Sequence, residues 1–258
     1  MTMIKTLAAA NKSEREHFKI PRSVQQSIPI QRIYRDGIWM VNGKYSRTWR
    51  FADINYSVAS HEDQQEMFLS YCGVLNSLPT GATAKITINN RRLNGTDFQH
   101  SVLMRLKGDG LDKYRQEYNG ILMEKAVESN NLIQDKYITI SVERKNIEEA
   151  RTFFKRVDID LGKSFGKLDS GAKALDNHER LRIFHDFFRP GEEQDFRIDL
   201  SEAMKRGHSF KDAIAPDGMQ FKADHFEIGG KVGRVLFLRE YASYIKDRMI
   251  TDLSDFSR

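Results

Sequence analysis

The hydrophobic and polar positions of this chain fall into short alternating runs and longer helical stripes, which predicts a mixed α+β fold. Asn42-Gly43 stands between GIWMV and KYSRTWRF, the strongest short-range signal for a two-residue type I′ hairpin. In the second strand Tyr45, Arg47, Trp49 and Phe51 alternate with Ser46, Thr48 and Arg50, giving one mainly aromatic face. A helix is expected over residues 61–78, with Phe68, Tyr71, Cys72, Leu75 and Leu78 as its core stripe. Ser60 with Asp63 approximates a capping box at its start, and Pro79 and Gly81 end it. Alternation over 83–89 places Ala84, Ile86 and Ile88 inward, and a weaker extended piece follows around Val102, Met104 and Leu106. A helix over 111–128 carries Leu111, Tyr114, Tyr118, Ile121 and Leu122, and a strand over 136–143 carries Ile138, Ile140 and Val142. Asn146 with Glu149 then caps a long helix whose face is Ile147, Ala150, Phe154, Val157 and Leu161.

From residue 44 to 143 the expected order is therefore strand, helix, strand, strand, helix, strand. That is the ferredoxin-like pattern, an antiparallel sheet with helices on one face. A β-hairpin precedes it. Additional helices follow, one over 177–188 with Leu181, Phe184 and Phe188, ended by Pro190-Gly191. A C-terminal hairpin over 219–239 turns at Gly229-Gly230 and carries Val235–Leu238 as an apolar core strand. In the last stretch Ile245, Met249, Leu253 and Phe256 share one face of an amphipathic helix, a candidate junction to a further domain. The organisation read from the chain is a basic flexible arm (1–28), an α+β domain (29–240) and the start of a linker helix (241–258).

Composition narrows the class. At 258 residues with 40% hydrophobic and 30% charged positions, the chain is long enough to bury a core. Its longest apolar run, Val235–Leu238, is far shorter than the roughly 20 residues of a membrane-spanning helix. The single cysteine, Cys72, excludes an internal disulfide and a multi-cysteine zinc site, and is expected in the core. Charge is uneven: of a net +5, residues 1–50 hold ten Lys/Arg against three Asp/Glu. Such an arm suits an anionic membrane surface, nucleic acid or an acidic partner, with Arg35, Lys44, Arg47 and Arg50 as candidate contacts.

No motif supplies chemistry. Gly162-Lys163-Ser164 lacks the glycine a phosphate loop needs five positions earlier, where Val157 stands. Arg239 occupies the place of the first carboxylate of a magnesium-binding pair after VLFL. The histidines are never two to four residues apart, which removes HExxH zinc sites and leaves only His178 and His185, with Asp186, for a metal-dependent enzyme. Lys107-Gly108-Asp109-Gly110 reads as a capping turn before a helix rather than an anion site. Arg91-Arg92 and the lone aromatic Tyr137 fall short of an RNA-binding sheet. Catalytic, cofactor-binding and metal residues are accordingly assigned to no position.

Several collinear strings carry a resemblance: SVQQSIPIQRIYRDGI (23–38), KYSRTWRFADINYSVAS (44–60), ATAKITINNRRLN (82–94), KGDGLDKYRQEYN (107–119), KYITISVERKNIEEARTFF (136–154) and GRVLFLREYASYIKD (233–247). They resemble the N-terminal region of conjugative-transfer ATPases of the CagE/TrbE/VirB family, above all the branch on integrative conjugative elements of Gram-positive bacteria. The resemblance implies a non-catalytic docking and assembly domain ahead of a RecA-like motor, at the cytoplasmic base of a type IV secretion channel. Its implied partners are the channel's inner-membrane components and other copies of itself, with no small-molecule substrate. ATP and magnesium would belong to the motor, whose Walker motifs have no counterpart in these residues. The alternatives are a single-stranded nucleic-acid-binding module of the transfer machinery and, more remotely, a stand-alone metal-dependent enzyme.

Overall fold

A computed structural model describes residues 21–92, 102–128, 132–193, 195–240 and 243–244. Residues 23–28, expected within the flexible arm, are structured. Ser23 caps a single helical turn, α1 (Val24–Ser27), and Ile28 is buried beside Ile30, Trp39, Leu181 and Ile214. Three strands follow as a meander: β1 (Ile30–Ile33), β2 (Trp39–Val41) and β3 (Lys44–Phe51). The expected turn between β2 and β3 is present, with φ 49° at Asn42 and 76° at Gly43. Gly37, in the tighter bend before β2, has φ 77°, and a Cβ there would lie 2.8 Å from the Leu175 carbonyl oxygen.

The chain continues through α2 (His61–Asn76), β4 (Ala82–Arg92), α3 (Asp112–Glu128), β5 (Leu132–Val142), α4 (Ile147–Gly166), β6 (Ala172–Ala174) and α5 (Asn177–Phe188). The strands run β6-β3-β5-β4, every neighbour antiparallel. This is a ferredoxin-like arrangement within an α+β fold, but its members differ from those expected. The third strand is β5, the second helix is α4 and the fourth strand is β6, so the unit spans 44–174 rather than 44–143. Residues 102–106 form no strand, because β4 and β5 pair with each other along their whole length, from Ala82↔Val142 to Arg92↔Leu132. Helix α3 sits inside the excursion between those two strands.

Alternation along the strands builds a core on each face. Tyr45, Trp49, Ile138, Ile140 and Val142 meet Ala150, Phe154, Val157, Leu161 and Phe165 of α4. Trp39 points the other way, against Leu181 and Phe184 of α5. Helix α2 docks through Tyr71 and Leu78 as expected, but with Met67 and the buried Val74 in place of Phe68 and Leu75. Phe68 is 59% exposed, Leu75 is exposed and Cys72 is only half-buried, because α2 packs against α4 and not down onto the sheet edge. For the same reason Ile86 and Ile88, on the predicted face of β4, remain exposed.

Beyond α5 the chain forms α6 (Leu200–Lys205) and a separate antiparallel sheet of β7 (Met219–Phe221), β8 (Phe226–Ile228) and β9 (Lys231–Gly233). Gly229 and Gly230 make the expected turn, with φ 56° and 72°. The apolar run that follows is not the expected core strand. Val235, Leu236, Phe237 and Leu238 are 74%, 85%, 81% and 63% exposed. The ladder of β8 with β9 ends at Phe226↔Gly233, and among the described residues no strand pairs with the run beyond it. Ile245, Met249, Leu253 and Phe256 lie outside the described residues, as does the basic segment before residue 21.

Candidate functional site

The four basic residues expected to meet a partner do not share one surface. Arg35 is exposed in the bend between β1 and β2, and Lys44 pairs with Glu143 at 3.2 Å at the start of β3. Arg47 and Arg50 are three apart on a strand, so the pleat sends them to opposite faces. Arg47 lies under α4, where the Asp158 carboxylate accepts from its Nη1 at 2.5 Å and from Trp49 Nε1 at 2.7 Å. Arg50 stands on the other face, its Nη2 donating at 2.5 Å to the buried carboxylate of Asp135.

A fifth cation was invisible to sequence reasoning. Arg180, on α5, is buried between the two layers with its guanidinium carbon 4.1 Å from the centre of the Trp39 ring. Its Nη1 donates to the carbonyls of Gly37 (2.9 Å) and Ser46 (3.1 Å), and its Nη2 to Ser46 Oγ (3.2 Å). Burial, with the nearby charge of Arg47 adding to it, pushes this group down to about 9, so it remains a cation at neutral pH. With no carboxylate paired to it among the described residues, it ties α5 to the sheet through carbonyl dipoles and the indole face.

Arg50 opens onto a polar pocket of about 340 Å³ at the end of the sheet where β3 leaves and β5 enters. Asp53, Asp135, Lys136 and Lys173 also line it. Lys136 pairs with Asp53, while Lys173 donates to Glu179 of α5 at 2.7 Å. That bond raises the Lys173 ammonium above its ordinary value. Burial alone would raise the Glu179 carboxyl, but Lys173 and the Asp176 N–H outweigh it and leave it lowered. The register explains the crowding: Arg50 faces Lys173 directly across β3 and β6.

The sequence motifs resolve as structure. Gly162-Lys163-Ser164 lies inside α4, as does the G-x-S-x-G that Gly162 to Gly166 spell, a match sequence reasoning passed over. A nucleophile elbow needs a strand-to-helix turn, which these residues do not form. In the loop before α3, the Asp112 carboxylate accepts the backbone N–H of Lys107 (3.0 Å) and of Gly108 (2.7 Å). The chain's own carboxylate thus fills that anion position, and Arg115 pairs with both Asp109 and Asp112. His178 and His185 share a face of α5 but flank the Phe196 ring, at 4.8 and 5.0 Å between ring centres. Among the described residues no group of three His, Cys, Asp or Glu could hold a metal ion.

Helix α3 exposes the face expected to be its core: Leu111, Tyr114, Tyr118 and Ile121 are all open to solvent. Phe68 and Leu69 on α2, and Val235–Leu238, add further apolar surface. No protein-family model matches this sequence, and no curated protein matches it either.

Proposed function

We propose that this chain is a non-catalytic docking and assembly domain of a conjugative-transfer, type IV secretion ATPase, working at the cytoplasmic face of the cell membrane. The observation that carries the reading is the bare run Val235–Leu238, four consecutive large apolar side chains that belong to no helix or strand. Apolar residues scattered singly over a surface are ordinary, whereas contiguous ones mark an interface. The open faces of α2 and α3 extend the same argument to a second copy of the chain. The collinear resemblance supplies the partner for Val235–Leu238, the small inner-membrane subunit of the channel. Exposed Arg35 and Lys44 would meet the anionic lipid around it. ATP and magnesium belong to the motor in this reading. Among the described residues no helix is long and apolar enough to cross a membrane, so the proposed membrane association is peripheral.

The test is co-sedimentation of the full chain with anionic liposomes carrying that membrane subunit. Phe237→Glu is expected to weaken recruitment about tenfold, the scale of a central interface residue, with an unchanged melting temperature. Recruitment of that variant at the wild-type level would refute the reading.

A further inference from the structure

We infer that strand β4 is a dimerisation edge, along which a second copy of this chain pairs antiparallel about a two-fold axis at Thr87. The two ends of the sheet are built differently. At one, β1 is four residues long and its register with β2 slips between Ile30 and Arg32. Short, irregular edges of that kind discourage strand addition. At the other, β4 runs eleven residues against β5 in one unbroken register. It contains no proline, and Lys85 is the only charged residue from Ala82 to Asn90. Among the described residues no strand pairs with its outer side, so a row of backbone N–H and C=O groups there has no strand partner. Ile86 lies directly across from buried Ile138, and Ile88 shares its face, yet both are exposed.

The sequence of β4 is self-complementary about Thr87. A two-fold axis there sets Thr87 against itself, Ile86 against Ile88 twice, Lys85 against Asn89 and Ala84 against Asn90. The two isoleucine pairs gather four exposed side chains into one apolar cluster. Each Lys85 faces a neutral amide, so no like charges oppose each other over residues 84–90. Centring the axis two residues earlier would oppose Lys85 to itself and set each isoleucine against an alanine. Two residues later, Ile88 would meet Asn90. The contact goes beyond the docking reading: it uses neither Val235–Leu238 nor a membrane, and it stands if docking fails.

Sedimentation velocity of the full chain, from about 1 to 200 µM, tests the inference. A reversible dimer is expected. Combining Ile86→Lys with Ile88→Lys should weaken it about tenfold or more, by setting ammonium groups against each other across the axis. Both isoleucines are exposed, so the melting temperature of the doubly substituted chain should stay at the wild-type value. Oxidative cross-linking in a Cys72→Ser background reads the register and does not depend on that variant. Thr87→Cys should give a covalent dimer, since facing residues of an antiparallel pair lie within disulfide reach. Lys85→Cys should not, because its two copies stand four residues apart along the strands, about 14 Å. A monomer at every concentration, an undiminished dimer after the double substitution, or equal cross-linking from the two positions would overturn the inference. Phe237→Glu should leave the dimer intact, which separates this result from that of the docking test. Loss of the dimer in that variant would move the contact to the apolar run and overturn the assignment to β4.

Discussion

Helices α3 and α4 are of similar length, 17 and 20 residues, and both carry recurrent apolar positions, yet their fates are opposite. Helix α4 buries Ala150, Phe153, Phe154, Val157, Leu161 and Phe165. Helix α3 exposes Tyr114, Tyr118 and Ile121. The difference lies in where each falls in the topology. The chain must cross back over the sheet from β5 to reach β6 beside β3, and α4 is that crossing. Helix α3 interrupts a hairpin whose strands already pair, so the sheet has no call on its apolar side. Periodicity therefore specifies that a helix forms, while connectivity decides what it covers.

The comparison breaks most visibly at the sheet beneath α4. Ile140 is fully buried there, and Ile140→Asp would put an unpaired carboxylate into the core at a cost of several kcal/mol. Since a domain's whole stability is about 5–15 kcal/mol, this variant should be unfolded by circular dichroism. A cooperative melt at the wild-type temperature would contradict the sheet assignment. Next in size is a matched pair of truncations. Urea denaturation should show Phe154→Ala losing about 3–5 kcal/mol. Tyr118→Ala should change stability by no more than ~0.5 kcal/mol. Equal losses would mean that α3 is packed as α4 is.

The smallest expected effect is local and depends on pH. Arg115 first, then the Leu111 N–H, lowers the Asp109 carboxyl. The Lys107 N–H first, then Arg115, lowers that of Asp112. Folded values below the ordinary 3.8 mean that their stabilisation is complete above it and lost as pH falls through the lowered values. Below that range the Lys107 and Gly108 amides should lose protection from hydrogen exchange while the amides of α4 keep theirs. Simultaneous loss in both would show that α3 and the core open as one unit.

Much of the fold was legible because its cues are local. Asn42-Gly43, the Asn146 cap and the 177–188 helix are each set by residues within a few positions, and each appears where expected. The role of 102–106 was misread because a strand needs a partner, and that of β4 was already taken by β5. Strand β6, three residues long, gives alternation nothing to register. Val235–Leu238 has the composition of a core strand, but what lies beside it decides burial. The polar pocket could not be read at all, since it joins residue 50 to residues 135 and 173 through register alone. Of its charged members only Arg50 stands out in the sequence, on the strand after the Asn42-Gly43 turn.

The last rung of the long hairpin, Arg92↔Leu132, makes that point of the sheet a branch point. Both ends of the excursion carrying α3 leave from one pair of facing residues, so its length is invisible to the strands below. Chain entropy imposes little limit on it: closing a loop ten times longer would cost only ~2 kcal/mol more, because the penalty grows with the logarithm of length. Material can therefore be added or lost at this rung with the ladder below it intact, and the surface it presents can diverge while the sheet stays fixed.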